Sequence, residues 1–281
     1  MKYTTIKPAA QLTGIVRYFW ILESQEAYTH FSMPDACAEL IFHFHGRFAE
    51  LLNDGRDQPS FTAGVHGQSR QARKFEINCG FGMLGAYLYP QAIPALFNCA
   101  APEVSNQMID LDLLLGSEGK SLEDAIANAK DNVERVSLLE AFISRRHSRN
   151  DNKILPVFHS VQTIIDQKGL VKIKDMASEA CLSERQFKRQ FHQYAGFSPK
   201  LYARIVRFQS AMELYEQKRK SLTDIALECG YYDQSHFISD FTEFAGLSPK
   251  TFFSGKSGAT VWRDKEFEIS DRSAGRNVYG F

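Results

Sequence analysis

The sequence predicts an α+β protein of two domains: a β-rich N-terminal domain of sandwich or barrel type with some helices, and an all-α C-terminal domain. Three observations predict it. Aromatic and branched runs separated by turn residues fill residues 1–100, helix-like spacing begins near Ala101, and one phrase of the second half occurs twice. A length of 281 residues also favours two domains over one.

Three apolar runs are the predicted strands of the first hundred residues. They are VRYFWIL at 16–22, AELIFHFH at 38–45 and FGMLGAYLYP at 81–90, and Gly, Asn, Asp and Pro punctuate the chain between them. Strands at this spacing are typical of a small sandwich or barrel. The aromatic residues of the first run are predicted to lie in its core.

Helical spacing dominates after the strands. The stretch 121–146 is predicted to be helical, with Ser121 and Asp124 as a capping box. Its predicted buried positions are Leu122, Ile126, Val133, Val136, Leu139 and Phe142.

A polar run then separates the predicted domains. The run SRRHSRNDNK at 144–153 has no apolar anchor, which is typical of a linker. We therefore expect a domain at 1–150, a helical domain at 151–254 and a polar tail at 255–281.

Composition excludes several classes of protein. The chain has no apolar run long enough for a membrane span and no signal-peptide core. Its five cysteines lack a C-x-x-C pair, which favours buried thiols in a reducing cytoplasm over a disulfide framework. The net charge is zero, but it is −3 over residues 1–154 and +3 over 155–256. This asymmetry is compatible with nucleic-acid binding by the second half.

The first copy of the repeated phrase, QFKRQFHQYAGFSPK, occupies residues 186–200. Ser183 and Gln186 form a predicted capping box at the start of a helix that follows a short helix and a tight turn. Helical spacing places Phe187, Phe191 and Tyr194 on one buried stripe. A separate cationic stripe contains Arg185, Lys188, Arg189 and His192. This arrangement matches a helix-turn-helix.

The second copy, HFISDFTEFAGLSPK at 236–250, repeats this arrangement. Ser221 and Asp224 can cap its first helix, Gly230 supplies the turn, and Asp233 can cap its second helix. In both copies Ala-Gly ends a helix and Ser-Pro begins the next one. The first copy therefore continues into a long helix predicted over 199–219, whose apolar face can join the two units.

These motifs resemble the DNA-binding domain of AraC/XylS-type transcription regulators, with two helix-turn-helix units, over residues 155–253. The resemblance rests on the sequence IALECGY at 225–231, on Asp233, Ser235, Phe237 and Phe241 in the D-x-S-x-F-x-x-x-F element, and on Gly246–Pro249; Arg207 matches the family's linker-helix arginine. A looser resemblance to the leading domain of some members lies in PDACAELIFHF at 34–44 and GAYLYPQAIPALF at 85–97.

The resemblance implies a sequence-specific DNA-binding regulator whose two recognition helices enter adjacent major grooves. Double-stranded DNA is then the partner, with RNA polymerase, a small-molecule effector and a second copy of the chain as further candidates, and no membrane. The implied DNA-binding residues of the first unit are Ser183, Arg185, Gln186, Lys188, Arg189 and His192. Those of the second unit are Gln234, Ser235, His236, Ser239 and Thr242.

The second unit departs from the family pattern. Relatives usually carry Arg at the position of Ser239, whereas the helix at 233–244 here contains Asp233, Asp240 and Glu243 and no Lys or Arg. We therefore expect this unit to add little counterion-release affinity. The alternative is that it serves mainly structure or polymerase contact.

A metal site and catalysis are the competing possibilities for the N-terminal domain. The pattern H-x-H-x4-E at 43–50 places His43 and His45 on one face of a strand, with His66 as a third candidate imidazole. Cys37 and Asp57 replace the glycines that frame this pattern in cupins, so we interpret the histidines as strand residues and expect no metal and no cofactor. No nucleophile elbow, P-loop or G-x-G-x-x-G run occurs, and we expect no enzyme.

Two alternative functions stay open at this point. One is a cupin-like metal- or small-molecule-binding enzyme domain fused to a DNA-binding module. The other is a constitutive regulator or interaction protein without a ligand.

Overall fold

The computed structural model describes residues 1–52, 54–149, 157–216, 221–253 and 267–270. These residues form a β-rich N-terminal domain with helices, followed by a domain of helices, which confirms the predicted two-domain α+β class. The predicted boundaries near 150 and 254 fall outside the described residues. No described helix is long and apolar enough to cross a membrane.

The N-terminal domain contains two sheets. Apart from the parallel pair β1 and β11, the paired strands are antiparallel. The larger sheet has the order β10-β7-β4-β9-β2-β1-β11 and the smaller has the order β3-β8-β5-β6. The strands are β1 Lys2–Ile6, β2 Val16–Ser24, β3 Tyr28–Ser32, β4 Ala38–His45, β5 Ala49–Leu51, β6 Asp57–Pro59, β7 Ala63–His66, β8 Arg73–Ile77, β9 Phe81–Leu88, β10 Met108–Asp110 and β11 Phe267–Ser270.

The three predicted strands are confirmed as β2, β4 and β9, which lie side by side at the centre of the larger sheet. Trp20 on β2 faces Gly85 on β9, and a Cβ atom at Gly85 would lie only 2.2 Å from the indole ring. The glycine therefore makes room for the tryptophan, which is 6% exposed.

Helices cover one face of the larger sheet. They are α1 Ala92–Phe97, α2 Ala101–Val104, α3 Leu111–Leu115, α4 Ser117–Ala127 and α5 Asn132–Arg149. Ile93 of α1 and Leu139 of α5 share one buried core with Phe19 and Phe42 of the sheet. Burial of such apolar side chains is the main driving force that holds the layers together.

Two local predictions for this helical region were wrong. Helix α4 begins at Ser117, so Ser121 lies inside it and caps nothing. The chain breaks after Ala127 and restarts at α5, where the carboxylate of Asp131 accepts a hydrogen bond from the Glu134 amide at 2.8 Å. This restart places Val133 in the exposed first turn, whereas the other five predicted positions are buried.

The predicted linker is also wrong in its first part. Residues 144–149 continue helix α5, and Arg146 forms an ion pair of 2.6 Å with Glu118 of α4. The first part of the charged run therefore belongs to α5 and is held against α4 by this ion pair. Residues 150–153 lie outside the described residues.

The C-terminal domain is built from short helices around an aromatic core. Its helices are α6 Phe158–Asp166, α7 Ile173–Glu179, α8 Glu184–Ala195, α9 Pro199–Glu216, α10 Leu222–Glu228, α11 Gln234–Ala245 and α12 Pro249–Phe253. Helices α7 and α8 form the first helix-turn-helix unit, and α10 and α11 form the second. Gly196 and Gly246 follow α8 and α11 in the left-handed conformation that the repeated Ala-Gly predicts.

Part of the C-terminal tail returns to the first domain. Strand β11 runs parallel to β1, with Phe267 opposite Tyr3. The rest of the predicted tail lies outside the described residues.

Candidate nucleic-acid interface

Helix α8 has one buried face and one exposed face. Its N-cap Ser183 accepts a hydrogen bond from the Gln186 amide, and the Gln186 side chain accepts one from the Ser183 amide, which confirms the capping box. Phe187 and Phe191 are fully buried. The six predicted DNA-binding residues of this unit, Ser183, Arg185, Gln186, Lys188, Arg189 and His192, are all exposed.

The cations of α8 differ in how far they are already neutralised. Lys188 forms an ion pair of 3.0 Å with Glu184 one turn earlier. Within the described part of the chain, Arg185 and Arg189 form no ion pair. The two guanidinium groups are therefore the side chains of this helix most available to an anionic or guanine partner.

The acidic residues of α11 are engaged with the protein. The carboxylate of Asp233 caps the helix by accepting a hydrogen bond from the His236 amide at 2.7 Å. Asp240 is 4% exposed and accepts two hydrogen bonds from Arg204 of α9, at 2.7 and 3.3 Å. Glu243 accepts a further one from Arg204 at 2.6 Å. These contacts therefore hold α11 in place, and two of the three carboxylates, Asp240 and Glu243, are paired with a cation there.

Arg204 is the centre of this arrangement. Its hydrogen bonds to Asp240 are the main reason that its pKa is raised above the usual arginine range, against the opposing effect of partial burial. Its guanidinium also lies over the ring of Phe244, 5.0 Å from the centroid. The group bridges the linker helix α9 and the recognition helix α11.

The exposed face of α11 is polar and contains no Lys or Arg. It contains the five residues predicted for the second unit. Gln234 accepts a hydrogen bond from the Thr223 hydroxyl at 3.0 Å, and the Thr242 hydroxyl donates to the Ile238 carbonyl at 2.8 Å. The exposed residues are Gln234, Ser235, His236, Ser239 and Thr242.

Helix α9 joins the two units through aromatic contacts. Tyr202 packs edge-on against Phe191 of α8 with centroids 5.5 Å apart, and Phe208 packs against Phe241 of α11 at 5.2 Å. Both α9 residues are fully buried, as the predicted apolar face of this helix requires. Arg207 donates a hydrogen bond to the Gly169 carbonyl at 3.4 Å and so ties α9 to the segment before α7.

Sequence reasoning missed one exposed aromatic residue beside the second recognition helix. Tyr232 is 88% exposed in the turn between α10 and α11, whereas its neighbour Tyr231 is 3% exposed. The Tyr-Tyr doublet was the available signal, because adjacent side chains at a tight turn rarely share one buried face. A tyrosine hydroxyl at this position can donate a hydrogen bond to phosphate.

The histidines considered as metal ligands do not come together. A register shift separates His43, which is buried, from His45, which is exposed, so the prediction that both share one face was wrong. Glu50 lies on the other sheet and pairs with Arg73 at 3.4 Å. Among the described residues no group of three or more His, Cys, Asp or Glu side chains could hold a metal ion.

Two buried histidines and one half-buried histidine instead give the N-terminal domain an expected pH dependence. Burial, together with the charge of Arg73, lowers the pKa of His66 from 6.5 to about 3. Burial also lowers the pKa of His30 and His43 to about 4. Since these folded-state values lie below the unfolded value, the unfolded chain takes up protons first as the pH falls below about 6.5.

We expect His66→Leu to flatten the loss of stability at mildly acidic pH. The wild-type free energy of unfolding should fall by an extra ~1.4 kcal/mol per pH unit for this residue between about pH 6 and pH 4, because one proton distinguishes the two states. Urea unfolding at several pH values measures the slope, with His45→Leu as the control for loss of an exposed imidazole. An unchanged slope in His66→Leu would contradict the assignment.

Two family models match separate parts of the chain. Residues 176–255 match the model described as a helix-turn-helix domain, which includes both recognition helices. Residues 4–110 match a domain of unknown function, DUF6597, which includes most of the β-rich region.

Curated relatives match over a part of their length. An uncharacterized HTH-type transcriptional regulator of Haemophilus influenzae is 39% identical over 80 residues, which are 28% of this chain and 27% of the relative. The HTH-type transcriptional regulator ArgR of Pseudomonas aeruginosa is 31% identical over 88 residues, 31% of this chain and 27% of the relative. The HTH-type transcriptional activator RhaR of Escherichia coli K12 is 30% identical over 113 residues, which are 37% of this chain and 39% of the relative. The chain thus spans less than two fifths of these relatives.

Solved structures are similar at a lower level. ToxT of Vibrio cholerae has 10% identity and a TM-score of 0.46, over 84% of this chain and 97% of ToxT. An AraC-type regulator of Chromobacterium violaceum has 27% identity and a TM-score of 0.33, over 36% of this chain and 90% of that protein. The sequence motifs, the two helix-turn-helix units and the family match agree over the same residues. The chain therefore carries a C-terminal helix-turn-helix domain over residues 176–255, whose motifs resemble those of AraC/XylS-type regulators.

Proposed function

We propose that the whole chain is a sequence-specific transcription regulator that uses α8 and α11 in adjacent major grooves of double-stranded DNA. The observation that carries the proposal is the exposed stripe of Arg185 and Arg189 on a capped helix whose opposite face is anchored by buried phenylalanines. Arginine paired with the O6 and N7 atoms of guanine is the commonest specific contact in the major groove. The exposed polar residues of α8 and α11 are the proposed further contacts.

The two units make unequal contributions in this proposal. The first supplies charge and guanine contacts, and the second supplies polar contacts from Gln234 and His236, with Gln suited to adenine. Asp240 and Glu243 are bound to Arg204, so their repulsion of DNA phosphates is reduced. The weak affinity of the second unit for DNA then comes mainly from its lack of cations.

Ser239→Arg tests this distribution of charge. We expect tighter DNA binding at low salt and a salt slope steeper by about 0.9, because one added phosphate contact releases about one counterion. Ser137→Arg is the matched control, since Ser137 is an exposed helical serine of the N-terminal domain. Fluorescence anisotropy titrations from ~50 to ~200 mM salt measure both quantities. No gain in affinity would refute the idea that missing cations limit the second unit.

The N-terminal domain is proposed to control DNA engagement in the cytoplasm. A small-molecule effector, contact with RNA polymerase or pairing with a second copy of the chain would act only by favouring one of two states of the protein. The support for such coupling is that this domain contacts the C-terminal domain directly, through hydrogen bonds between Gln68 and Ala195 and between Ala72 and Phe244. Catalysis forms no part of the proposal.

Selection of bound DNA from a genomic library, with the full chain at ~150 mM salt, tests the proposed function. We expect enrichment of sites with two half-sites about one helical turn apart. Recovery of fragments without a common sequence would overturn the proposal of sequence-specific binding, and recovery of single half-sites would overturn the use of two grooves.

A further inference from the structure

One short segment of the N-terminal domain contacts the ends of both recognition helices. The bridging segment, residues 67–72, connects β7 to β8 and has the sequence GQSRQA. The side-chain amide of Gln68 donates a hydrogen bond to the Ala195 carbonyl at 2.9 Å, and the Ala72 backbone amide donates one to the Phe244 carbonyl at 3.1 Å. Both carbonyls belong to the last turn of a helix, where acceptors have no partner within the helix.

The contact at α8 is closely fitted. Gln68 is fully buried, and its side-chain oxygen accepts a hydrogen bond from the Ser105 hydroxyl at 3.4 Å. Gly196 has φ +76°, and a Cβ atom there would lie 2.2 Å from the Ser105 oxygen. The corresponding Gly246 after α11 has nothing within 4 Å of such an atom. Gly196 therefore leaves room for close contact with Ser105 of the N-terminal domain, whereas Gly246 faces open space.

The bridging segment is bonded to a part of the N-terminal domain that packs on the C-terminal core. The Asp35 amide donates a hydrogen bond to the Ser69 carbonyl at 2.9 Å. Residues Met33 and Ala36 on either side of Asp35 are buried in the same apolar core as the recognition-helix phenylalanines. The segment is therefore held in position by burial and by hydrogen bonds.

The bridging segment leaves the recognition faces uncovered. Arg185 and Arg189 on α8 are exposed, and so are Gln234 and Ser239 on α11. A contact that covered the recognition faces would bury these side chains. This contact instead holds the helix ends and is compatible with DNA binding.

A second connection between the two helix-turn-helix units restricts their movement relative to each other. Helix α9 joins the units through the contact of Tyr202 with Phe191 on one side, and through Phe208 and the ion pair of Arg204 with Asp240 on the other. The bridging segment connects the far ends of α8 and α11 through the N-terminal domain. We propose that residues 67–72 fix the separation and relative orientation of the two recognition helices, with Gln68 as the main positioning residue, and thereby set which spacing of DNA half-sites the protein accepts.

This inference rests on the proposed function, and Gln68→Ala tests it. Duplexes are made from the selected half-sites with the separation varied in single base pairs on either side of ~10 bp. We expect the wild-type protein to prefer one separation at least about 10-fold and Gln68→Ala to lose most of that preference while binding each half-site as before. Gln91→Ala is the matched control, because Gln91 is also buried and donates to the Gly14 carbonyl within the N-terminal domain. A wild-type spacing profile in Gln68→Ala would overturn the inference.

Hydrogen exchange in the absence of DNA provides an independent measurement. We expect faster exchange of the amides at 192–196 in Gln68→Ala and in Gln68→Met, which keeps the side-chain length without a donor, and unchanged exchange in Gln91→Ala. Unchanged exchange in both Gln68 variants would overturn the positioning role, even if Gln68→Ala folded poorly. If the wild-type protein selects no DNA, the proposed function fails, and this measurement still decides whether the bridging segment restrains α8.

Discussion

Replacing Arg185 and Arg189 together with alanine should weaken specific DNA binding about 100- to 1,000-fold near physiological salt. Each bidentate contact between arginine and guanine discriminates by about 1–3 kcal/mol, and the two contacts lie on one exposed face of α8. The salt slope should also fall by up to about 0.9 for each arginine that contacts phosphate. Titrations of the selected duplex at several salt concentrations measure both effects.

Two further variants separate charge from base recognition. Lysine at both positions keeps the charge and loses the planar fork, so we expect the salt slope to be retained and the preference for the selected sequence to fall. Arg56→Ala removes an arginine of the N-terminal domain that pairs with Asp54 at 2.6 Å, and it should leave DNA binding unchanged. An affinity of the double alanine variant within threefold of wild type would contradict the assignment of α8 as the main contact.

Replacing Asp240 with asparagine should lower the free energy of unfolding of the C-terminal domain by about 2 kcal/mol. Breaking a buried ion pair commonly costs about 3–5 kcal/mol, and the partial exposure of Arg204 reduces this value. The Arg204 side chain is 25% exposed and the Asp240 side chain 6% exposed. Urea unfolding followed by circular dichroism measures the change.

The same arginine supplies the control for Asp240. Glu243 also pairs with Arg204, but its side chain is 57% exposed, so Glu243→Gln should cost about 1 kcal/mol or less. A double-mutant cycle with Arg204→Met isolates the pair from the effects of each single change. A loss below about 0.5 kcal/mol in Asp240→Asn would show that the pair contributes little to stability.

Local signals account for what the sequence predicted well. The capping boxes at Ser183 and Ser221 and the cap at Asp233 each depend on residues no more than three apart, and the structure contains all three. Helical periodicity likewise predicted the buried phenylalanines of both units, because it depends only on spacing along one helix. The same reasoning failed at Val133, where a helix break that Asp131 caps changed the exposed face.

Contacts between distant segments could not be predicted in this way. Asp240 and Glu243 looked like acids on a DNA-facing helix, but Arg204 lies 36 and 39 residues away from them in the chain and binds both. Only the packing of α9 against α11 brings these groups together. The sequence therefore showed that α11 lacks cations, but it could not show that Asp240 and Glu243 are bound to Arg204.

The sequence by itself determined the two domain classes, the double helix-turn-helix and the difference in cation content between its two copies. These features depend only on composition, on residue spacing and on helix caps, which are local properties of the chain. The tertiary structure decided which charges remain available to DNA and which segment of the N-terminal domain holds the recognition helices. Gln68 and Ala195 are 127 residues apart, and their hydrogen bond exists only because two independently patterned domains pack against each other. No local pattern can specify such a pair, since its geometry depends on the whole interface.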